Sequence, residues 1–376
     1  MKILALDLGK SKSAACLLDT DNGKAKFGTV ATVVSSMEEA LGRWRPDRLV
    51  MEVGPIAGWV CDLAASAGIP VQVANPSTEG WRWRNVKKKT DRLDALKLAR
   101  LSAADQLPQV HMPAPVVRQW RSLIAHREGL VQRATAIKNS IRDILLRQGL
   151  GMTKGKSGWT EESLQQVRLL AVPLEQTTME DLWRGQLQVE LEALTQAQAR
   201  LAQVQAKLDS LGQAHAKVQL LQTIPGVGPR LSEAIVAILD DPHRFHNGQQ
   251  VGSYAGLVPR QRQSGNSDRH GRITKAGNSL LRTLLVEVGW VGIRWNPWMR
   301  AIFSRVHRGI RSRRKVAIVA VARHLLVWCW AMLRDNKPWQ PPGWIPPVEQ
   351  QQQPVSRKET VREFYGLPPK TKTSAA

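Results

Sequence analysis

The stretch MKILALDLGKSKSAACLLD, residues 1–19, carries the pattern on which the fold prediction rests. Lys2–Leu6 predicts one compact apolar strand, and Ala14–Leu18 predicts a second strand after a turn at Gly9–Ser13. Asp7 stands at the end of the first strand, where an ionised carboxylate is costly unless it has a partner. The opening stretch therefore predicts the start of a sheet and, at its edge, a candidate functional acid.

Short β-rich runs and helical stretches go on alternating through the first eighty residues, which is typical of an α/β domain. The further elements predicted are a strand at Phe27–Val34, a helix at Ser36–Trp44, a strand at Arg48–Val53, a helix at Pro55–Ala67 and a strand at Val71–Val73. Three strands in succession, followed by strand, helix and strand, is the order expected of an RNase H-like sheet.

The charge balance indicates a nucleic-acid partner. The 376 residues include 54 Lys or Arg against 31 Asp or Glu, a formal net charge of +23. Such a surplus attracts polyanions, of which nucleic acid is the commonest specific partner and a membrane surface the competing one. An ordinary neutral metabolic enzyme is excluded as the default, and a 43% apolar content is enough for folded domains with sizeable cores.

Neither a disulfide framework nor a membrane anchor is predicted. The cysteines are too few and too scattered for disulfides or a zinc site, and they indicate a reducing, cytosolic setting: Cys16, Cys61 and Cys329. Asp7 lies inside the N-terminal apolar run, which excludes a secretory signal. The best membrane candidate, Val316–Leu333, carries an arginine and a histidine near its middle and predicts a buried helix.

Beyond residue 112 the sequence predicts a helical protein. Helical periodicity over Val116–Leu150 and Met179–Leu211 predicts two long helices, either an antiparallel coiled-coil arm or a dimer contact. A helix-hairpin-helix pattern, a basic loop at Leu257–Gly277 and further helices follow. The predicted domains are residues 1–112, an α/β domain; 113–212, a helical arm with a linker near 152–158; 213–336, a C-terminal helical domain; and 337–376, a disordered Pro/Gln-rich tail.

Four acids form the first candidate site. Asp7 and Glu52 end neighbouring apolar strands, and Asp91 and Asp94 lie three apart on one face of a helix. Four hard oxygen donors suit magnesium or manganese, and such sites carry out phosphoryl transfer. The alternatives are a helix cap at Thr90 with acids favourable to the helix dipole, a phosphate-binding turn at Asp7, and a solvent-facing Glu52. The order of the four acids favours the metal site.

The second candidate is the loop GLVPRQRQSGNSDRHGRITKAGNSLLR, residues 256–282. Cations surround a Ser264-Gly265 pair, as a serine nucleophile that attacks a phosphate would require. Composition alone favours the alternative, a loop whose serines only touch backbone phosphates. The cations concerned are Arg260, Arg262, Arg269, Arg272, Lys275 and Arg282.

Two other segments are candidates for binding nucleic acid. Glycine amides of the hairpin Ile224–Pro229, at Gly226 and Gly228, can approach a phosphate backbone without regard to sequence, although a simple packing turn is equally compatible. The segment WRWRNVKKKT at residues 81–90 alternates tryptophans with cations, a combination that stacks bases and pairs phosphates. Its cations are Arg82, Arg84, Lys87, Lys88 and Lys89. A third basic cluster spans Arg305–Lys315.

Taken together, these residues resemble a known family: the DEDD transposases of bridge-RNA-guided insertion sequences, which include the Piv-type DNA invertases. The resemblance covers about residues 1 to 335. It rests on ALDLGKSKSAACLLD, MEVGP, KKKTDRLDALKLARL, RSLIAHREGLVQRATAIKNSIRDILLRQGL, LLQTIPGVGP and SYAGLVPRQRQSGNSDRHGRITKAGNSLLRTLL, which occur in that order.

The resemblance implies a RuvC-like N-terminal domain, a coiled-coil insertion and a C-terminal transposase domain. By position, Asp7, Glu52, Asp91 and Asp94 look like the family's metal ligands, with Mg²⁺ or Mn²⁺ as cofactor, and Ser264 looks like its nucleophile. The family's serine forms a covalent phosphoserine and frees a 3′-hydroxyl. Its active site is built from two protomers, dimers pair donor and target DNA, and a structured non-coding RNA chooses the sequences.

The sequence thus predicts an RNA-guided DNA transposase that excises and inserts its own element, homodimeric or a dimer of dimers, in the cytoplasm and nucleoid of a prokaryote. It predicts no membrane partner. Two alternatives stay open: a metal-dependent Holliday-junction resolvase of RuvC type, and a non-enzymatic protein that bridges nucleic acids.

Overall fold

A computed structural model describes residues 1–75, 90–264 and 267–340. The chain divides into two compact units, Met1–Gln119 and Trp120–Ala376. The tryptophan-rich basic cluster and the tail from residue 341 lie outside the described residues, so what the sequence predicts for them stays a prediction. That applies to five of the candidate nucleic-acid contacts: Arg82, Arg84, Lys87, Lys88 and Lys89.

A five-stranded mixed sheet forms the centre of the first unit. Its strands are β1 (Lys2–Asp7), β2 (Lys12–Asp19), β3 (Ala25–Ala31), β4 (Arg48–Glu52) and β5 (Val71–Ala74). They lie in the order β3-β2-β1-β4-β5, with β1 antiparallel to β2, β2 antiparallel to β3, and β1, β4 and β5 mutually parallel. The five predicted strands and the mixed α/β class are confirmed. The third strand ends earlier than predicted, because Val34 already begins the next helix.

Helices cover both faces of this sheet. They are α1 (Val34–Trp44), α2 (Ala57–Ser66) and α3 (Asp91–Ala103). Successive side chains of a strand point to opposite faces, and the two buried clusters follow that alternation. One face packs on α1 and α2 through Leu4, Leu6, Leu49, Met51, Met37 and Val60. The other face packs on α3 through Ile3, Ala5, Val50, Leu98 and Ala99.

Two 33-residue helices pair in an antiparallel arm within the second unit. They are α4 (Pro115–Arg147), whose first residues belong to the first unit, and α6 (Leu182–Ala214), with the short α5 (Glu161–Arg168) between them. The C-terminal part of α4 packs on the start of α6, through Ile141 and Leu145 with Leu187 and Leu191. The N-terminal part of α4 packs on the last turns of α6, through Ile124 with Leu208. The two predicted long helices are confirmed, and their role as a coiled-coil arm or as a dimer contact stays a prediction.

The rest of the second unit is a mostly helical core, as predicted. It contains α7 (Ala216–Gln222), α8 (Pro229–Leu239), α9 (Gly248–Tyr254), α10 (Ser279–Trp295), α11 (Pro297–His307) and α12 (Arg314–Asp335). By length and composition, the stretch Arg311–Asp335 would suffice to cross a membrane, yet 56% of its most apolar window is buried inside the protein. Because α12 forms much of the core, the prediction of a buried helix is confirmed.

The basic loop predicted around Ser264 is instead a β-hairpin. Its strands are β6 (Pro259–Ser264) and β7 (Ser267–Ile273), paired antiparallel. Every residue of β6 is exposed, so this strand buries no apolar face. The sequence therefore shows no apolar alternation there, and the prediction of a loop was wrong for that reason.

Candidate functional site

Two of the predicted acids end adjacent parallel strands. The register pairs Leu6 with Met51, and Asp7 and Glu52 are the next residues of β1 and β4. Continuing the strand alternation turns both acids toward the face that α3 covers. Both side chains are partly exposed. The sheet thus brings Asp7 and Glu52 to one edge and to one face.

Helix α3 begins at the same pair of acids that the sequence singled out. Thr90 is its N-cap, and the Thr90 hydroxyl accepts a hydrogen bond from the Leu93 amide at 3.4 Å. Asp91 and Asp94 both lie in the first turn, where acids favour the helix dipole. Asp94 is buried, one turn before the sheet-facing Leu98, whereas Asp91 is exposed. The helix-cap interpretation is therefore correct, and it also directs Asp94 toward the sheet.

Lys97 is a neighbour of this acid set that the sequence analysis missed. Burial lowers the pKa of its ammonium group, while the carboxylates of Asp94 and Glu52 act in the opposite direction. The charge of Lys97 therefore interacts with the charges of both acids. The signal available in the sequence was the spacing, since residues 94 and 97 lie three apart on one helix face.

The chemistry of the four acids suits a divalent cation, but their arrangement in the structure does not form a metal site. Their carboxylates are the hard oxygen donors that Mg²⁺ and Mn²⁺ prefer. Among residues 1–75, 90–264 and 267–340, no group of three or more His, Cys, Asp or Glu side chains is already gathered for a metal ion. Lys97 adds a cation whose charge interacts with two of the acids.

Ser264 lies at the end of β6, directly opposite Ser267 on β7. The neighbouring cross-strand pair on the same face is Arg262 with Arg269, because directly opposed residues share a face and alternate pairs repeat it. All four side chains are exposed. Two like charges placed opposite each other are unfavourable in a hairpin unless an anion lies near them. The face that carries Ser264 therefore suits a phosphate.

The opposite face of the hairpin is neutral or paired. Gln261 donates a side-chain hydrogen bond to Asp268 at 2.9 Å, and Gln263 lies directly opposite Asp268. Among the described cross-strand pairs, the one formed by two cations lies on the face of Ser264. Arg260 and Arg272 are exposed on the same strands, and the Arg260 guanidinium donates to the Thr274 carbonyl at 3.4 Å.

Arg282, predicted to contact nucleic acid, has a structural role at the base of the hairpin. One guanidinium nitrogen donates to four backbone carbonyls at 2.9–3.2 Å, those of Ala255, Ala276, Gly277 and Asn278. Lys275 lies in the same turn with a positive φ of 57°. Arg282 thus fixes the segment that leads from β7 into α10, and any contact of Arg282 or Lys275 with nucleic acid remains a prediction.

The predicted glycine hairpin connects α7 to α8 and presents both glycines to solvent. Gly226 has a φ of 92°, which favours glycine, and Gly228 is the N-cap of α8. Asn296, buried and missed in the sequence, donates to the Pro225 carbonyl at 3.2 Å while its Oδ1 caps the first turn of α11. Asn296 therefore holds the hairpin from the core side, and both glycines stay exposed.

Comparison with known proteins identifies the class. A family model described as "Transposase IS116/IS110/IS902 family" matches residues 218–304, and a second transposase model, of the DEDD IS110 type, matches residues 4–148. The first model covers the Ser264 hairpin, and the second covers the four acids. Both models describe transposases, so the chain belongs to that class of protein. The chain is a member of the IS116/IS110/IS902 family, as the sequence resemblance predicted.

Curated relatives agree over most of the chain. It is 27% identical over 353 residues to the transposase of insertion sequence element IS1111A from Coxiella burnetii, covering 90% of this chain and 92% of the relative. A probable family 20 transposase of Pseudomonas aeruginosa is 30% identical over 234 residues, covering 62% and 68%. The pilin gene-inverting protein of Moraxella lacunata is 30% identical over 122 residues, covering 32% and 38%.

Among solved structures, RuvC of Thermus thermophilus aligns with 16% identity and a TM-score of 0.23, covering 29% of this chain and all of that one. A TM-score this low does not by itself establish a shared fold.

Proposed function

We propose that this transposase cuts and rejoins DNA through Ser264, with Asp7, Glu52, Asp91 and Asp94 as the metal-binding acids. One observation carries the proposal: Ser264 is exposed on the hairpin face that also holds Arg262 and Arg269. The RNase H-like prediction and the observed strand order β3-β2-β1-β4-β5 support a RuvC-like role for the first unit.

The chemistry assigned to the hairpin is attack of the Ser264 hydroxyl oxygen on a DNA phosphorus. The new Ser–O–P bond replaces the bond to the 3′ oxygen, which leaves with a proton as a free hydroxyl. Arg262 and Arg269 would meet the charge that develops on the phosphate, because fixed donors aimed at developing charge lower the barrier. A divalent cation on the acids, when bound, would supply further charge stabilisation at a phosphate oxygen.

Lys97 has a defined place in this proposal. Lys97 would offset the mutual repulsion of Glu52 and Asp94, since both carboxylates favour its charged form. The family resemblance further suggests a structured non-coding RNA that selects donor and target DNA, and dimers that pair the two. The same proposal includes domain boundaries near residues 112, 212 and 336. It also includes a cytoplasmic, nucleoid-associated setting.

The experiment that tests the nucleophile looks for a denaturation-resistant protein–DNA adduct. The full chain is incubated with element-end DNA, guide RNA and magnesium. We expect Ser264→Ala to abolish the adduct, while Ser267→Ala, which removes the hydroxyl directly opposite on the same face, retains it. An adduct that persists in Ser264→Ala would show that another group is the nucleophile.

The same assay separates the alternatives. Cleavage without any adduct would indicate a metal-only resolvase, and binding without cleavage would indicate a bridging protein. If Asp7→Ala and Glu52→Ala proteins cut DNA normally and independently of magnesium, the assignment of the four acids would be wrong.

A further inference from the structure

The turn between α11 and α12 carries a dense positive charge to which the proposed function assigns no role. We call it the basic turn, Arg305–Lys315, and its six cations are all exposed: Arg305, Arg308, Arg311, Arg313, Arg314 and Lys315. The sequence contains no Asp or Glu between Glu287 and Asp335. Among the described residues, no carboxylate forms an ion pair with the five remaining cations, Arg305, Arg308, Arg311, Arg313 and Lys315. The charge of these five cations is therefore not neutralised by carboxylates among the described residues.

The backbone of the basic turn is ordered by its own hydrogen bonds. The Arg308 amide donates to the Ser304 carbonyl at 3.0 Å, the Ile310 amide to His307 at 2.9 Å, and the Arg313 amide to Ile310 at 3.0 Å. Arg308 closes α11 in the left-handed region, with a φ of 50°. Asn or Gly is favoured there, so a charged residue in this conformation carries a local cost. Such a cost is often found at functional positions.

Aromatic contacts fix the two sides of the basic turn. The Arg314 guanidinium lies over the Trp290 ring of α10, 4.9 Å from its centroid. His307 stacks on Phe303 with centroids 5.0 Å apart and an interplanar angle of 19°, and Phe303 meets Trp290 edge-on at 6.1 Å. These rings pack on one another and on Arg314, so the turn presents charge rather than free ring faces.

We propose that the basic turn is a binding site for the phosphodiester backbone of a nucleic-acid duplex. Five of its six cations are arginines, whose planar guanidinium matches a phosphate with two donors. Single-stranded nucleic acid is usually held by stacking its bases on free aromatic rings, and the turn offers charge instead. Because the turn is already ordered, little conformational entropy is lost on binding. The inference rests on the family's action on DNA and not on the chemistry of Ser264.

A triple variant tests the site: Arg308→Asn, Arg311→Gln and Arg313→Gln in the full chain. Asn tolerates the left-handed conformation at position 308, so the turn should keep its shape. The matched control removes three exposed arginines that are each paired with an acid elsewhere, and thus lowers the net charge equally: Arg43→Gln, Arg147→Gln and Arg168→Gln.

The measurement is the affinity for labelled random-sequence duplexes without divalent metal, between about 50 and 200 mM salt. Three lost phosphate contacts should make the plot of log affinity against log salt shallower by about 2.7 and weaken binding at about 100 mM by at least tenfold. The control should match the wild type in slope. Equal slopes for the triple variant and the control would overturn the proposal.

Two probes, a DNA duplex and an RNA duplex, identify the source of the phosphates. A loss confined to the DNA probe assigns the turn to donor or target DNA, and a loss confined to the RNA probe assigns it to a structured RNA; a loss on both supports contact with any duplex backbone. If the triple variant instead lost only binding to anionic phospholipid vesicles, the turn would be a membrane site and the proposal wrong.

Two further measurements distinguish a loss of binding by the basic turn from effects on folding or on catalysis. Arg311→Gln alone replaces one exposed side chain and gives a second test, with about one third of the change in slope, if the triple variant unfolds early. The binding assay can be repeated with Ser264→Ala, since it needs no cleavage. Failure of the basic turn to bind would therefore leave the proposed nucleophile untouched, and the reverse also holds.

Discussion

Glu233 is a buried carboxylate in the second unit, with 1% of its side chain exposed. The Arg230 guanidinium donates to its Oε2 at 3.0 Å and also pairs with Asp209. Its other oxygen, Oε1, has no hydrogen-bond partner among the described residues. Burial raises the Glu233 pKa to about 7, although Arg230 and Arg127 favour the charged form. The cluster joins α8 to the base of the helical arm through a group that titrates near neutrality.

This pKa predicts how the second unit responds to pH. The pKa of Glu233 is raised on folding, from 4.5 to about 7, so the folded chain binds more protons than the unfolded chain in that interval. The contribution of Glu233 to stability is therefore full below pH 4.5 and falls as the pH rises to 7, by at most about 1.4 kcal/mol per pH unit. We expect Glu233→Gln to remove this slope in guanidinium unfolding at pH 5, 6, 7 and 8.

Glu192→Gln is the matched control, because it removes an exposed carboxylate from α6. It should leave the slope of the wild type in place. A Glu233→Gln protein whose stability falls with pH as steeply as that of the wild type would contradict the assignment of the slope to Glu233.

At the scale of elements, the neck of the β6–β7 hairpin is the tightest backbone contact that bears on the site. Gly256 and Gly277 face each other across it with φ of 67° and 79°. A Cβ on Gly256 would lie 2.0 Å from the Ala276 carbonyl oxygen, and one on Gly277 would lie 1.9 Å from that of Tyr254. The neck thus needs two glycines so that the strand carrying Ser264 leaves the core at a fixed place.

Gly277→Ala should displace the hairpin. The new Cβ meets backbone rather than a movable side chain, and its φ is unfavourable, so we expect the free energy of unfolding to fall by about 2 to 4 kcal/mol. Adduct formation should fall more than DNA binding does. In the same hairpin, Gly271→Ala places its Cβ 3.7 Å from its nearest neighbour, the Arg260 Cβ, and should change stability by less than about 0.5 kcal/mol. Equal effects of the two substitutions would contradict this account of the neck.

The elements differ in how far their sequences predicted them. The strands of the first unit and the two long helices were predictable, because each buries apolar residues at a regular period. The β6–β7 hairpin was not, since every residue of β6 is exposed and the register depends on the glycine neck and on cross-strand pairs. Asp7 and Glu52 were predictable as candidate site residues because each stands at the end of an apolar strand. Lys97 and Asn296 emerged only with the structure, because their roles depend on which elements pack together.

At the scale of the whole molecule, the proposed catalytic groups are divided between the two units. Asp7, Glu52, Asp91 and Asp94 belong to Met1–Gln119, and Ser264 belongs to Trp120–Ala376. Each unit has its own buried clusters. The residues that produce the net charge of +23 are also unevenly distributed along the sequence. A stretch without Asp or Glu contains the basic turn, whereas four of the acids form the proposed metal site. The family resemblance implies a site built from two protomers, in which the acids of one chain would act with the serine of another.

Mixing two inactive variants tests whether the acids and the serine act from different chains. Asp7→Ala protein keeps Ser264, and Ser264→Ala protein keeps the acids. If the site combines two protomers, a mixed dimer holds one complete site, and an equal mixture should recover about a quarter of the wild-type adduct, given random pairing into twofold dimers. Adduct formation is measured after subunit exchange, with differently tagged chains to verify that mixed dimers form. Asp7→Ala mixed with the Asp7→Ala/Ser264→Ala double variant contains no complete site in either arrangement and should stay inactive. Mixed dimers without any adduct would mean that each serine works with the acids of its own chain.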